Sequence, residues 1–174
     1  MRRRYATIIG LAVISGLLAA AGPLHAGGGT VEGQISLAQP DGTIAHGDWI
    51  RVMLVTEAFD VGPIRQQVDA QIREVGGGRQ GVRSNRLHLE FYKEVMARIT
   101  DNARYVAAST LTTEDGSFKF ADVPPSRYWV VITFPSIING YKVAWQAPAE
   151  VVADATVAVM LSGENLLFSL EPSR

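Results

Sequence analysis

Histidine and cysteine do much of the catalytic and metal-binding chemistry of proteins, and this sequence offers few of them. It has no cysteine and three histidines, of which only His46 and His88 lie in the body of the chain. These two are far apart in sequence, and neither belongs to the paired-histidine spacing of a transition-metal site. We therefore predict no metal, no other cofactor and no disulfide.

Other catalytic and ligand-binding motifs are also missing. No serine stands in the Gly-x-Ser-x-Gly pattern of a hydrolase. The glycine-rich residues 76–81 lack the Gly-Lys-Ser/Thr that completes a phosphate loop, so a plain linker is the simpler interpretation. Asp41, Asp48 and Asp60 lack the close oxygen-ligand spacing of a calcium loop. We predict that the chain is not an enzyme.

Two groups of side chains could hold a partner. Arg79, Arg83 and Arg86 make one segment basic and could meet an acidic surface, although a solvated loop is the alternative. Tyr141 and Trp145 lie beside a predicted turn and could form an exposed aromatic platform, although core packing is the alternative that aromatic burial favours. The other strand aromatics are predicted to lie in the core: Trp49, Phe118, Phe120, Tyr128 and Trp129.

Composition and charge limit the class of protein. Hydrophobic residues make up 47% and charged residues 19% of the 174 residues, as in an ordinary globular chain. The formal net charge is −1, and three of the 16 basic residues are Arg2, Arg3 and Arg4. A chain beginning at Gly27 would have 13 basic and 17 acidic residues, a net charge of −4. This balance argues against a nucleic-acid partner.

The N-terminus has the pattern of an export signal. Three arginines precede an almost purely apolar run from Ile8 to Ala21, and the small residue Ala26 marks a cleavage site. The run is shorter than the roughly 20 residues of a membrane-spanning helix. We predict a signal peptide over residues 1–26, with an uncleaved anchor as the alternative. The mature protein is then periplasmic or extracellular, without stable membrane insertion.

A change of hydrophobic period predicts two helices in the middle of the chain. Pro63 can open the first, and the second is predicted over about residues 86–101, with Ser84 or Asn85 as its N-cap. Residues 76–85 are predicted as a mobile loop. The apolar positions with helical spacing are Ile64, Val68, Ile72 and Val75 in the first helix and Leu87, Phe91, Val95 and Ile99 in the second.

The rest of the body has the pattern of about eight short strands. Turn signals separate them at Pro40-Asp41-Gly42, at Glu114-Asp115-Gly116 and at Asn139-Gly140. Regular short strands predict a sandwich or a barrel. The predicted strands cover residues 31–37, 49–56, 105–113, 118–120, 128–133, 141–145, 156–161 and 166–170.

One stretch, from Thr113 to Val131, has a more specific pattern. Asp115-Gly116 is followed by the alternating Phe118 and Phe120, by Val123-Pro124-Pro125, and then by Tyr128 and Val130. It resembles the signature of the carboxypeptidase regulatory-like family, which implies a prealbumin-like (transthyretin-like) β-sandwich. The resemblance covers about residues 30–56 and 104–171, and Ser126 replaces the family's usual glycine. The family contains accessory and binding modules, so the resemblance implies fold more than activity.

These observations combine into one prediction. We predict a mainly β protein, a seven- to eight-stranded Greek-key β-sandwich over residues 27–174 as one domain, with an α-helical hairpin inserted at about residues 63–101. We predict a noncatalytic exported module for protein binding or carbohydrate binding, which engages a protein or envelope polymer, with the hairpin as its candidate contact surface. The alternatives are a structural subunit or stalk of a surface assembly, and a divergent transthyretin-like hydrolase that uses His46 and His88.

Overall fold

The computed structural model describes residues 27–74 and 80–168. The predicted signal peptide and Arg79 lie outside these ranges, as do residues 169–174. In the two described ranges, no helix is long and apolar enough to cross a membrane.

The described residues form a β-sandwich with a helical insertion. Seven of its strands have five residues or more, in agreement with the predicted fold class. The strands are β1 Gly29–Ala38, β2 Ile44–His46, β3 Arg51–Val55, β4 Val106–Leu111, β5 Ser117–Val123, β6 Ser126–Ile132, β7 Ile137–Ile138, β8 Tyr141–Lys142, β9 Trp145–Val151 and β10 Thr156–Leu161. The helices are α1 Gly62–Glu74 and α2 Gln80–Asp101.

Two four-stranded sheets make the sandwich. In the first, β1 pairs in parallel with β10 and antiparallel with both β5 and β2. The second has the order β4-β3-β6-β9, and every pairing in it is antiparallel. A short hairpin of β7 and β8 stands apart from both sheets.

The space between the two sheets is the first hydrophobic core. Phe118 and Phe120 of β5 enter it as predicted, each 4% exposed. Tyr128 and Val130 of β6 meet them from the second sheet. This side of the chain follows the period-two rule of strands, because alternate residues point to one face.

The outer face of the second sheet carries a second core. Val55 of β3 and Val131 of β6 are fully buried on this face, beneath Val68 of α1 and Phe91 of α2. The helical hairpin therefore packs on the sheet as a third layer. The amphipathic stripes that predicted the two helices are the surfaces that make this contact.

The second helix begins earlier than its sequence signals predict. It begins at Gln80, so the predicted caps Ser84 and Asn85 are interior helical positions, and at least residues 80–85 of the predicted loop are helical. Arg83 and Arg86 bind side chains of α1 here, and these contacts stabilise the added turns. Tertiary contacts have overridden the capping preference of Ser and Asn.

The last strands also differ from the prediction. Residues 166–168 are not in a strand, and the rest of predicted strand 166–170 lies beyond the described residues. The chain also forms the strand β9, which the sequence did not predict beyond residue 145. It pairs along its whole length with β6, and Pro148 lies opposite Trp129. Proline has no N–H to donate, so it is tolerated here because β9 is the edge strand of its sheet.

The packing of the hairpin gives a stability prediction. Phe91 is fully buried in edge-to-face contact with Phe59 and Phe168, each at a centroid distance of 5.8 Å. We expect Phe91→Ala to lower the free energy of unfolding by about 3–5 kcal/mol, because it leaves a cavity between helix and sheet. Urea denaturation measures this change.

The matched control for Phe91→Ala is Leu89→Ala on the same helix. Leu89 is 41% exposed, so its truncation should change the free energy of unfolding by less than about 1 kcal/mol. Equal losses in the two variants would contradict the packing of α2 on the sheet.

Candidate functional site

The predicted basic patch is largely used inside the hairpin. Arg83 donates to both carboxylate oxygens of Asp69 on α1, at 2.6 and 3.1 Å, and Arg86 donates to Gln71 at 2.7 Å. The hydrogen bonds that the Arg83 guanidinium donates stabilise the charged carboxylate, and this lowers the pKa of Asp69. Both arginines therefore connect the two helices, which leaves them less available to a partner than the sequence suggested.

The predicted aromatic platform does not form. Trp145 is fully buried between the sheets, and its Nε1 donates to the carbonyl of Ser162 at 3.0 Å. Tyr141 is half-buried on the short strand β8. The core-packing alternative is correct for Trp145, because the bond to Ser162 satisfies its one polar atom and allows complete burial.

Among the described residues, Trp49 is the aromatic side chain that is exposed. Its predicted place in the core is wrong, since it is 68% exposed and lies in a turn just before β3. Its backbone is left-handed, with φ of 52°. This conformation is unfavourable for a bulky residue, and such strain is retained where the surrounding structure fixes it.

Thr112 fixes the turn that carries Trp49. The buried Thr112 hydroxyl accepts from the Ile50 N–H at 2.8 Å and donates to the Gly47 carbonyl at 2.5 Å. A Cβ on Gly47 would come within 2.9 Å of side-chain carbons of Ile35 and Ile50, so only glycine fits there without displacement. Contacts on both sides of Trp49 therefore hold the turn in place beneath the exposed indole.

A groove of about 710 Å³ runs beside Trp49. Its floor is the part of the second sheet that the hairpin leaves uncovered, and α2 forms one wall. A loop after β6 forms the opposite wall, and Tyr92 of α2 meets Phe134 of this loop edge to face at 6.0 Å. The lining residues are Asp48, Trp49, Ile50, Arg51, Met53, Tyr92, Met96, Ile99, Leu111, Thr133, Phe134, Pro135, Ser136 and Ile137.

Exposed apolar surface is concentrated in this groove. Of nine large hydrophobic residues that are exposed in the described ranges, four line it. These four are Trp49, Met96, Leu111 and Ile137. A contiguous exposed apolar surface with polar groups at its border is typical of a binding site.

The polar groups of the groove are largely unused within the protein. Among the described residues, the side chain of neither Asp48 nor Arg51 has a hydrogen-bond or ion-pair partner. The Thr133 hydroxyl is buried and also has no partner in residues 27–74 and 80–168.

The two histidines of the body lie in different layers. His46 is on β2 of the first sheet, whereas His88 is on α2, in the core between the hairpin and the second sheet. They do not share a site, so the structure gives no support to a histidine-based hydrolase. Elsewhere in the described part of the chain, no three histidine or acidic side chains come together as a metal site would need.

His88 is a buried group with a strongly altered pKa. It is 1% exposed and packs edge to face against Phe168 at 5.2 Å, and neither ring nitrogen has a partner among the described residues. Burial, with a smaller contribution from the positive charge of Lys142, lowers the pKa of His88 to about 4. His88 is therefore neutral at physiological pH.

Comparison with known proteins identifies no family for this chain. No protein-family model matches the sequence. No curated protein matches it significantly either. The resemblance to the carboxypeptidase regulatory-like family therefore stays a prediction.

Several solved structures have a similar arrangement. A proposed carbohydrate-binding protein from Pseudomonas aeruginosa matches with a TM-score of 0.44 and 15% identity, over 79% of this chain and 89% of that one. The minor pilin of Streptococcus agalactiae matches with a TM-score of 0.44 and 10% identity, over 85% of this chain and 47% of its own. The pilus backbone of Streptococcus pneumoniae matches with a TM-score of 0.34 and 9% identity, over 75% and 40%. The chain spans less than half the length of either pilin, and these similarities assign it no function.

The strained turn gives a prediction on stability. Glycine accepts the left-handed conformation of Trp49 freely, whereas alanine does not. We expect Trp49→Gly to be at least as stable as Trp49→Ala, the reverse of the usual order, and to lie within about 1 kcal/mol of the parent protein. Chemical denaturation of the three proteins measures this order. A Trp49→Ala protein clearly more stable than Trp49→Gly would contradict the assigned backbone.

The buried histidine gives a prediction on pH. The pKa of His88 is about 4 in the folded protein and about 6.5 when unfolded, so the unfolded state binds the proton first. Stability is therefore complete above pH 6.5 and falls as the pH decreases toward 4, by up to about 3 kcal/mol.

The control is His88→Met, which cannot titrate. Its free energy of unfolding should vary much less than that of the parent between pH 6.5 and 4.5, where exposed aspartates contribute little. Parallel pH profiles for the two proteins in denaturant titrations would contradict the lowered pKa of His88 in the folded state.

Proposed function

We propose that this chain is an exported, noncatalytic binding module that engages a protein or polymer of the cell envelope through the groove beside Trp49. The observation behind this proposal is the exposed indole, fixed on a strained turn at the mouth of an apolar groove. Export is supported by the N-terminal sequence pattern.

The inserted hairpin takes part in the proposed site as one of its walls. Met96 and Ile99 of α2 face the floor that β3 and β4 supply through Met53 and Leu111. Binding surfaces on a rigid scaffold are often completed by an insertion. We therefore place the site where the insertion meets the sheet, rather than on the outer surface of the hairpin.

A noncatalytic role fits the chemistry of the groove. Its side chains can pack, donate and accept hydrogen bonds, but it contains no histidine and no nucleophile beside a general base. Asp48 and Arg51 are opposite charges that suit recognition.

The test measures retention of the protein on a native envelope fraction. Trp49→Gly should reduce retention at least tenfold, because a central tryptophan commonly contributes more than about 1.4 kcal/mol to an interface. The glycine keeps the turn conformation, so loss of binding would report loss of the indole.

The control variant is Ile44→Ala. Ile44 is 61% exposed on β2 and lies outside the groove, so its retention should equal that of the parent. Unchanged retention of Trp49→Gly would show that the site lies elsewhere and would refute the proposal.

A further inference from the structure

The groove has features that indicate the chemistry of its ligand. Asp48 and Arg51 flank Trp49 in sequence, are exposed, and have no side-chain partner in the described ranges. A carboxylate accepts hydrogen bonds and a guanidinium only donates them. A ligand of one charge would be attracted by one of these groups and repelled by the other. A neutral ligand whose groups both donate and accept satisfies both.

Hydroxyl groups have this double capacity. The groove adds a further polar group that suits them, since Tyr92 contributes a phenol. The Ser136 hydroxyl donates to the Thr133 carbonyl at 2.8 Å and keeps its acceptor capacity. Polar groups therefore lie both at the mouth of the groove, beside Trp49, and along its lining.

The apolar part of the groove places a second requirement on the ligand. The face of an indole carries partial negative charge, so it packs well against C–H bonds that are polarised by neighbouring oxygens. A pyranose ring presents such C–H bonds on its faces and hydroxyls around its rim. It would stack on Trp49 while its hydroxyls reach Asp48 and Arg51.

The groove is open at the surface, so a bound ring can belong to a longer chain. The volume of about 710 Å³ is within the range of roughly 300–1,000 Å³ of sites for small ligands. The groove lies along the surface between helix and loop, and Trp49 stands exposed at its mouth. An acyl chain would fill the apolar floor but would leave both charged groups without a partner.

Resting on the binding function proposed above, we propose that the groove binds a neutral glycan chain, with one sugar ring stacked on Trp49 and its hydroxyls bonded to Asp48 and Arg51. This assigns a ligand class to the site and a role to each of the three residues. Thr112 acts as a positioning residue, since it holds the turn that presents the indole.

The first experiment identifies the class of ligand in the envelope fraction. Samples of the fraction are digested with a broad protease, extracted with organic solvent, or treated with anhydrous hydrogen fluoride, which cleaves glycosidic bonds and spares peptide bonds. The full-length chain is expressed. Retention of the resulting protein and of its Trp49→Gly variant is then measured on each sample. We expect retention to survive protease and solvent and to fall at least tenfold after hydrogen fluoride.

The outcomes separate this inference from the proposed function. Trp49-dependent retention that is lost after protease or solvent would overturn the glycan and leave the binding module standing. Retention that does not depend on Trp49 on the untreated fraction would overturn both.

A second experiment tests the roles of the charged pair. Asp48→Asn and Arg51→Gln should each weaken retention about fivefold, whereas Glu94→Gln, an exposed charge outside the groove, should leave it unchanged. Because the ligand is neutral, retention should change less than twofold between 0.1 and 1 M salt. A tenfold fall with salt, or retention unaffected by both groove variants, would overturn the proposed recognition.

Discussion

The burial of one sheet on both of its faces is the constraint on which the rest of this structure depends. In β3, Val52 and Leu54 point into the inter-sheet core while Met53 and Val55 point the opposite way, and all four are buried. A simple two-layer sandwich would leave the outward pair in water. The helical hairpin supplies the missing layer and is therefore part of the folded core. Its removal would expose apolar surface, so deletion is a poor way to test its role in binding.

Much of the fold could be predicted from the sequence because it depends on period and turn chemistry. The paired phenylalanines of β5, the glycine turns and the two amphipathic stripes follow from local rules. The start of α2 and the strand β9 could not be predicted in this way. Arg83 extends the helix through a bond to Asp69, fourteen residues away, and β9 contains Pro148, which is acceptable only at an edge. Both depend on neighbours that are distant in sequence.

The candidate site was harder to predict, because its central residue contradicts its own local pattern. Trp49 begins an apolar run that reads as a strand, which predicts burial. Gly47-Asp48 was the available signal for a turn, but only the bonds from Thr112, more than sixty residues later, show that the chain reverses there. For Trp145 the sequence left an exposed platform and core packing both open, and Ser162 supplies the one hydrogen bond that its burial requires. Single hydrogen-bond partners of this kind decide whether an aromatic residue at a strand end is buried or exposed.

Two rows of side chains on α2 have different surroundings, one in the core and one in the groove. Leu87, Phe91 and Val95 recur every four residues and pack on the sheet, whereas Tyr92 and Met96, one position further on, face the groove. An offset of one residue rotates a helical side chain by about 100°, so the two rows share a backbone but not a surface. The core row holds the helix on the sheet, so residues of the groove row can be replaced without loss of that packing. The hairpin thus both covers the second sheet and forms one wall of the groove.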